Sequence, residues 1–349
     1  AGGDRCGPWI NGNFGNPFNT TTVNPEVLHG WGVRPYDWQF SVGVQQELLP
    51  RVAVDVNYSR RSWGNHFFID NRALTPADFD TATIAAPNHP ELPNGGGNPV
   101  TFVTRNGRSP LGAVDNYYTF ASDYGDVTTY WHGFDFTLNA RTRNGITFQG
   151  GTSTGRGVRD YCEIAQALPE LYVTTGSVLN QAQVAACAVD EPWLTTYRSS
   201  VTYTVPKIDV LLAGSLRSTP NVQPSTINTF VATNGASLPA NYNVNSAILQ
   251  TSNLARPLAT GLPFQTVDLT LPGEVYMDRI NSVDLRVAKV LRFGRTSTNV
   301  GFDFYNLLNA NTGTAFQQVF AVAPAPVVWA RPTSILQPRF ARFNVTFNF

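Results

Sequence analysis

The run Gly151-Thr152-Ser153-Thr154-Gly155 has the spacing of a nucleophile elbow, in which a serine on a sharp strand-to-helix turn is activated by a histidine supplied later in the chain. Here Arg156, Gly157 and Arg159 follow the motif, and all four histidines, His29, His66, His89 and His132, precede it. Ser153 therefore reads as an ordinary strand-end serine, and the chain is not expected to be an enzyme. The histidines show no HxH or HExxH spacing, so no metal or other cofactor is expected. The three cysteines fit neither a zinc motif nor a CxxC redox pair. Cys162 and Cys187 lie in one apparent connection, where an oxidising compartment would let them pair at its tip, and Cys6 is left over. Trp9, Trp31, Trp63 and Trp193 fall in segments that read as loops and are candidates for stacking on a ligand. The sequons at Asn19, Asn57 and Asn344 are chance matches, since two of them fall inside strands.

These residues need elements to hold them, and the elements are strands. Basic and acidic residues number 24 each, giving zero formal charge, so the positive field that nucleic-acid binding demands is missing. Mean hydropathy is −0.15, and no stretch approaches the ~18 continuous apolar residues of a transmembrane helix. Period-two alternation recurs instead. Trp38, Phe40, Val42 and Val44 alternate with Gln39, Ser41 and Gly43; Val52, Val54, Val56 and Tyr58 alternate with Ala53, Asp55, Asn57 and Ser59. Phe134-Phe136-Leu138, Ile146-Phe148, Val201-Tyr203-Val205, Ile208-Val210-Leu212, Val283-Leu285-Val287 and Val300-Phe302-Phe304 repeat the pattern. The polar positions collect Asp55, Asp135, Arg141, Asp209, Asp284, Arg286, Asp303 and Arg342, while the apolar positions carry almost no charge. That division suits a wall with lipid on one side and a wet lumen on the other. Trp38, Tyr58, Tyr130 and Tyr203, near strand ends, suit an interfacial aromatic belt.

Very short turns at Leu49-Pro50-Arg51, Arg143-Asn144-Gly145, Pro206-Lys207 and Gly294-Arg295 join strands in pairs. Long connections, over about 62–127, 158–193, 219–280 and 309–338, separate the pairs. The chain closes on Arg342, Phe343, Val345, Phe347 and Phe349, with the aromatics on one face, the pattern of a terminal barrel-assembly strand. The expected fold is an all-β, antiparallel transmembrane barrel with short periplasmic turns and long extracellular loops: residues 1–36 an extracellular segment, 37–349 the C-terminal barrel strands. Its partners would be outer-membrane lipid and the barrel-assembly machinery.

The stretch Asp284-Leu285-Arg286 through Leu291-Arg292-Phe293-Gly294-Arg295, then Asp303-Phe304-Tyr305-Asn306-Leu307-Leu308-Asn309 and Ile335-Leu336-Gln337-Pro338-Arg339-Phe340, resembles the end of TonB-dependent receptors, in particular the Oar-like group with a carboxypeptidase-regulatory-like domain. Trp31-Gly32-Val33-Arg34-Pro35 and Asn144-Gly145 extend the likeness. The resemblance implies a bacterial outer-membrane location and uptake of a small solute through a barrel of about 22 strands. It also implies a plug and a TonB-type energising protein contacted through an N-terminal part. The plug has no counterpart in this sequence, and nine strands is odd, so earlier strands are expected upstream. The rival readings are a structural or adhesive surface barrel and a passive porin. The solute is left open.

Overall fold

A strand that alternates apolar and polar side chains needs an apolar environment on one side and a wet one on the other. In the computed structural model, which describes residues 21–110, 112–173, 183–221, 238–294, 296–321 and 328–348, the alternating segments form a nine-strand antiparallel path. The wall strands are β1 Tyr36–Leu49, β2 Val52–Gly64, β3 Thr128–Arg141, β4 Ile146–Asp160, β5 Leu194–Val205, β6 Val210–Asn221, β7 Met277–Phe293, β8 Thr296–Tyr305 and β9 Phe340–Asn348. Each pairs with the next, so spatial order follows chain order. Among the described residues β1 and β9 do not meet, and the wall stays open. The only α-helices described are Cys162–Ala167 and Ser246–Gln250, and no described helix is long and apolar enough to cross a membrane.

Register decides which side chains share a face. Ile146, Tyr203, Leu212, Val287, Phe302 and Phe343 are successive direct partners across six strands. One step along, Thr147, Thr202, Ala213, Arg286, Asp303 and Arg342 form the matching polar row. The apolar rows lie open: Trp38 is 73% exposed, Phe343 57% and Phe347 68%. Val345 is on the same side and also exposed. Phe349 lies outside the described residues.

At one end of the wall the turns take left-handed backbone, with φ of 72° at Arg51, 87° at Gly145, 71° at Lys207 and 62° at Gly294. The third turn corrects the sequence reading. Ile208 and Asp209 belong to a turn between Val205 and Val210 and not to β6; Asp209 has φ of 48° and faces Arg292 at 3.4 Å. Apolar Ile208 continues the alternation past the point where the chain must reverse, which explains the difference. Arg295 lies outside the described residues.

At the other end the long connections fold into a cap. Phe79–Ala85 and Pro99–Arg105 form a hairpin that pairs with none of the wall strands. Asn241–Val244, between β6 and β7, pairs with Gln265–Asp268 and runs parallel to Val319–Phe320 from the connection between β8 and β9. One apolar core gathers Ala82, Val100, Phe102, Leu238, Val244, Leu249, Val267, Phe320 and Trp329 from three connections. A second joins Phe68, Phe79 and Val103 to Tyr161, Ile164, Leu171 and Cys187. The Trp329 indole donates to the Pro239 carbonyl at 2.8 Å, and Arg256 bridges to Asp80 at 2.8 Å. Most of the buried apolar residues are in these connections, not in the wall.

Candidate functional site

A groove of about 530 Å³ opens on the polar side of the wall across β3, β4 and β5, bordered by Asp135, Gln149, Ser153, Thr196, Arg198 and Ser200. Period two puts all of these on one face. Gly151 sits at its floor, where a Cβ would come within 2.1 Å of the Phe136 carbonyl oxygen, so close strand packing requires glycine at this position. Higher on the same face, the Trp131 ring covers Gly133 and Gly155, which leave room for it. Ser153 is a mid-strand residue paired with Asp135 and Thr196 in the ladder, so the elbow geometry its motif suggested is not present. Farther along the wall, Asp303 accepts from Arg342 at 3.0 Å and from the Asn344 amide at 2.9 Å, while Arg286 approaches to 3.7 Å. This polar face presents hydrogen-bonding groups and both signs of charge.

Cys162 and Cys187 are bonded, with Cα atoms 4.9 Å apart. They lie at the root of their connection and not at its tip. Ala188–Asp190 pairs with the last residues of β4, Val158 to Asp160, and the Tyr161 N–H donates to the Cys187 carbonyl at 3.0 Å. The added strand draws both cysteines back to the rim, which spacing along the chain does not show. Cys6 lies outside the described residues, as does Trp9.

The remaining candidate tryptophans stand apart from one another. Trp31 is fully exposed, at 103%. Trp63, one residue before the end of β2, lies beneath the Arg61 guanidinium, 5.0 Å from the ring. Trp193 packs on the outward side, 4.9 Å from the His132 ring and 6.0 Å from Phe134. There it extends an aromatic group in which Tyr58 lies 5.0 Å from Phe134. Sequence reading missed Arg60 and Arg156, which interrupt the apolar face at this level. The signal was available: both are even-numbered, in phase with Val56, Tyr58, Phe148 and Thr152.

The cap holds buried carboxyls. Burial pushes Glu170 up to about 7, against a weak 3.4 Å hydrogen bond from the Asn71 N–H. Burial also raises Glu191 to about 7, opposed by Arg159. Asp268 reaches about 6, with burial partly offset by hydrogen bonds from the Ala240 N–H at 2.7 Å and the Thr270 N–H at 3.1 Å.

No protein family and no curated protein matches the chain. Among solved structures, the outer membrane transporter YddB from Escherichia coli is similar, with a TM-score of 0.43 and 12% sequence identity. The match covers 90% of this chain and 33% of the transporter, so the chain spans about a third of that protein's length.

Proposed function

We propose that this chain is the C-terminal wall and outer cap of a bacterial outer-membrane barrel of the TonB-dependent receptor type, which takes up a solute captured at the cap. The carrying observation is the sorting of the wall: exposed apolar side chains on one face of nine strands, a polar groove on the other, tight turns at one end and a packed cap at the opposite end. Such sorting suits a bilayer outside and water inside. Open edges at β1 and β9 invite further strands, and a plug with a TonB-contacting segment would belong to that additional part of the protein. The cap's packed cores also suit display of a surface head, which is the adhesive reading.

Two experiments test this. In phosphatidylcholine vesicles brominated on the acyl chains, a variant whose single tryptophan is introduced at Phe136 should be strongly quenched and one keeping only Trp131 weakly. Equal quenching would remove the membrane placement. In cells, deleting the gene should abolish uptake of one solute among ferric chelates, cobalamin, oligosaccharides and peptides, and collapsing the proton gradient should do the same in the parent strain. Unchanged uptake with lost surface attachment would favour the adhesive reading.

A further inference from the structure

On the outward face, Arg60 of β2, His132 of β3 and Arg156 of β4 are direct ladder partners in one row. In the next row toward the turns Tyr58 lies opposite Phe134, and Phe134 opposite Thr154. Directly opposite residues sit about 5 Å apart, so the two arginine Cβ atoms lie roughly 10 Å apart with an imidazole between them. Both guanidiniums turn toward the cap. That of Arg60 lies over the Tyr130 ring at 4.4 Å. That of Arg156 donates to His132 Nε2 at 3.2 Å and reaches Asp190 at 3.1 Å. Arg60 makes no ion pair among the described residues, and the carboxylate facing Arg156 is 60% exposed, an ion pair of little worth in water. Two cations beside the aromatic group on the lipid-side face, with heads lifted toward its edge, are arranged as at a bilayer interface, where stems lie along acyl chains and heads meet anions.

We propose that Arg60 and Arg156 bind the phosphate headgroup of a membrane lipid at the cap-side rim of the wall, with Tyr130 and Trp193 flanking it. Guanidinium forks match phosphate oxygens in geometry and charge. The proposal rests on the membrane reading above and deepens it.

The test uses the full chain, an Arg60→Gln/Arg156→Gln variant, and an Arg141→Gln/Arg217→Gln control that removes equal charge from the polar face. Each is added to phosphatidylcholine vesicles with and without phosphatidic acid, then floated, extracted into detergent and weighed with its retained lipid by native mass spectrometry. Flotation of all three with phosphatidylcholine alone establishes insertion. Phosphatidic acid should then be retained by wild type and control and fall roughly tenfold in the Arg60/Arg156 variant. Equal retention in all three, or release of the lipid by millimolar inorganic phosphate, overturns the headgroup site while insertion leaves the membrane reading standing. A wild-type chain that does not float overturns both.

Discussion

The wall and the cap sort their apolar residues in opposite directions. In the wall, Trp38, Phe40, Phe136, Phe302, Phe343 and Phe347 are exposed, and Ala288 is a rare buried apolar residue there. In the cap, Phe102, Val100, Leu238, Val244 and Leu249 are sealed, each at 0%. The wall depends on its ladder and on whatever solvent meets its apolar face. The cap, by contrast, is held as a soluble domain is, by burial, a disulfide and a few ion pairs. One chain thus carries two answers to the hydrophobic effect, and perturbations should separate them.

The largest effect is expected in the cap. Phe102→Ala should cost about 3–5 kcal/mol of cap stability. Protease sensitivity should appear in the connections while the wall ladder persists by infrared or hydrogen exchange. Simultaneous loss of both would break the distinction. Phe136→Arg comes next, with a cost of about 2–4 kcal/mol in lipid if the site lies near the midplane, whereas Thr137→Ala on the other face should stay within about 1 kcal/mol. Comparable small effects at both positions, measured by unfolding from vesicles, would place water on both sides of the wall. Replacing Cys162 by Ser should remove about 3 kcal/mol from the cap through loop-closure entropy. Because the bridge sits at the rim, amides of Ala188 to Asp190 should lose exchange protection first.

The smallest effect is one of pH. Glu170 and Glu191 have folded pKa values raised above their unfolded ones, so the native cap binds more protons and is favoured at low pH. That stabilisation is fully present below the unfolded value of 4.5 and is lost as pH rises toward about 7. Cap melting should therefore shift to lower temperature between these limits, and Glu170→Gln should flatten the profile and gain on the order of 1–2 kcal/mol above it. A melting point that climbs with pH over the same interval would contradict the burial of these carboxyls.

The wall was legible in the sequence because its cause is local. Alternation places Phe343, Val345 and Phe347 on one face and Arg342 on the other whatever the neighbours are, and Gly145 and Gly294 mark reversals through their own backbone freedom. Strand ends were less sharp: β2 runs to Gly64 and β4 to Asp160, since ladder pairing continues after the alternation of side chains has faded. The cysteine pair was legible by compartment and spacing, but its place at the rim was not. What the tertiary structure alone decided is what depends on register and long-range contact. Phe102 shares one core with Val244 and Trp329 across more than a hundred residues of sequence, with no periodicity to announce it. Asp135 and Arg198 share a groove, and Arg60, His132 and Arg156 share a row, because hydrogen-bond register slid separate strands into that alignment. A shift of one residue would have sent each to the opposite face.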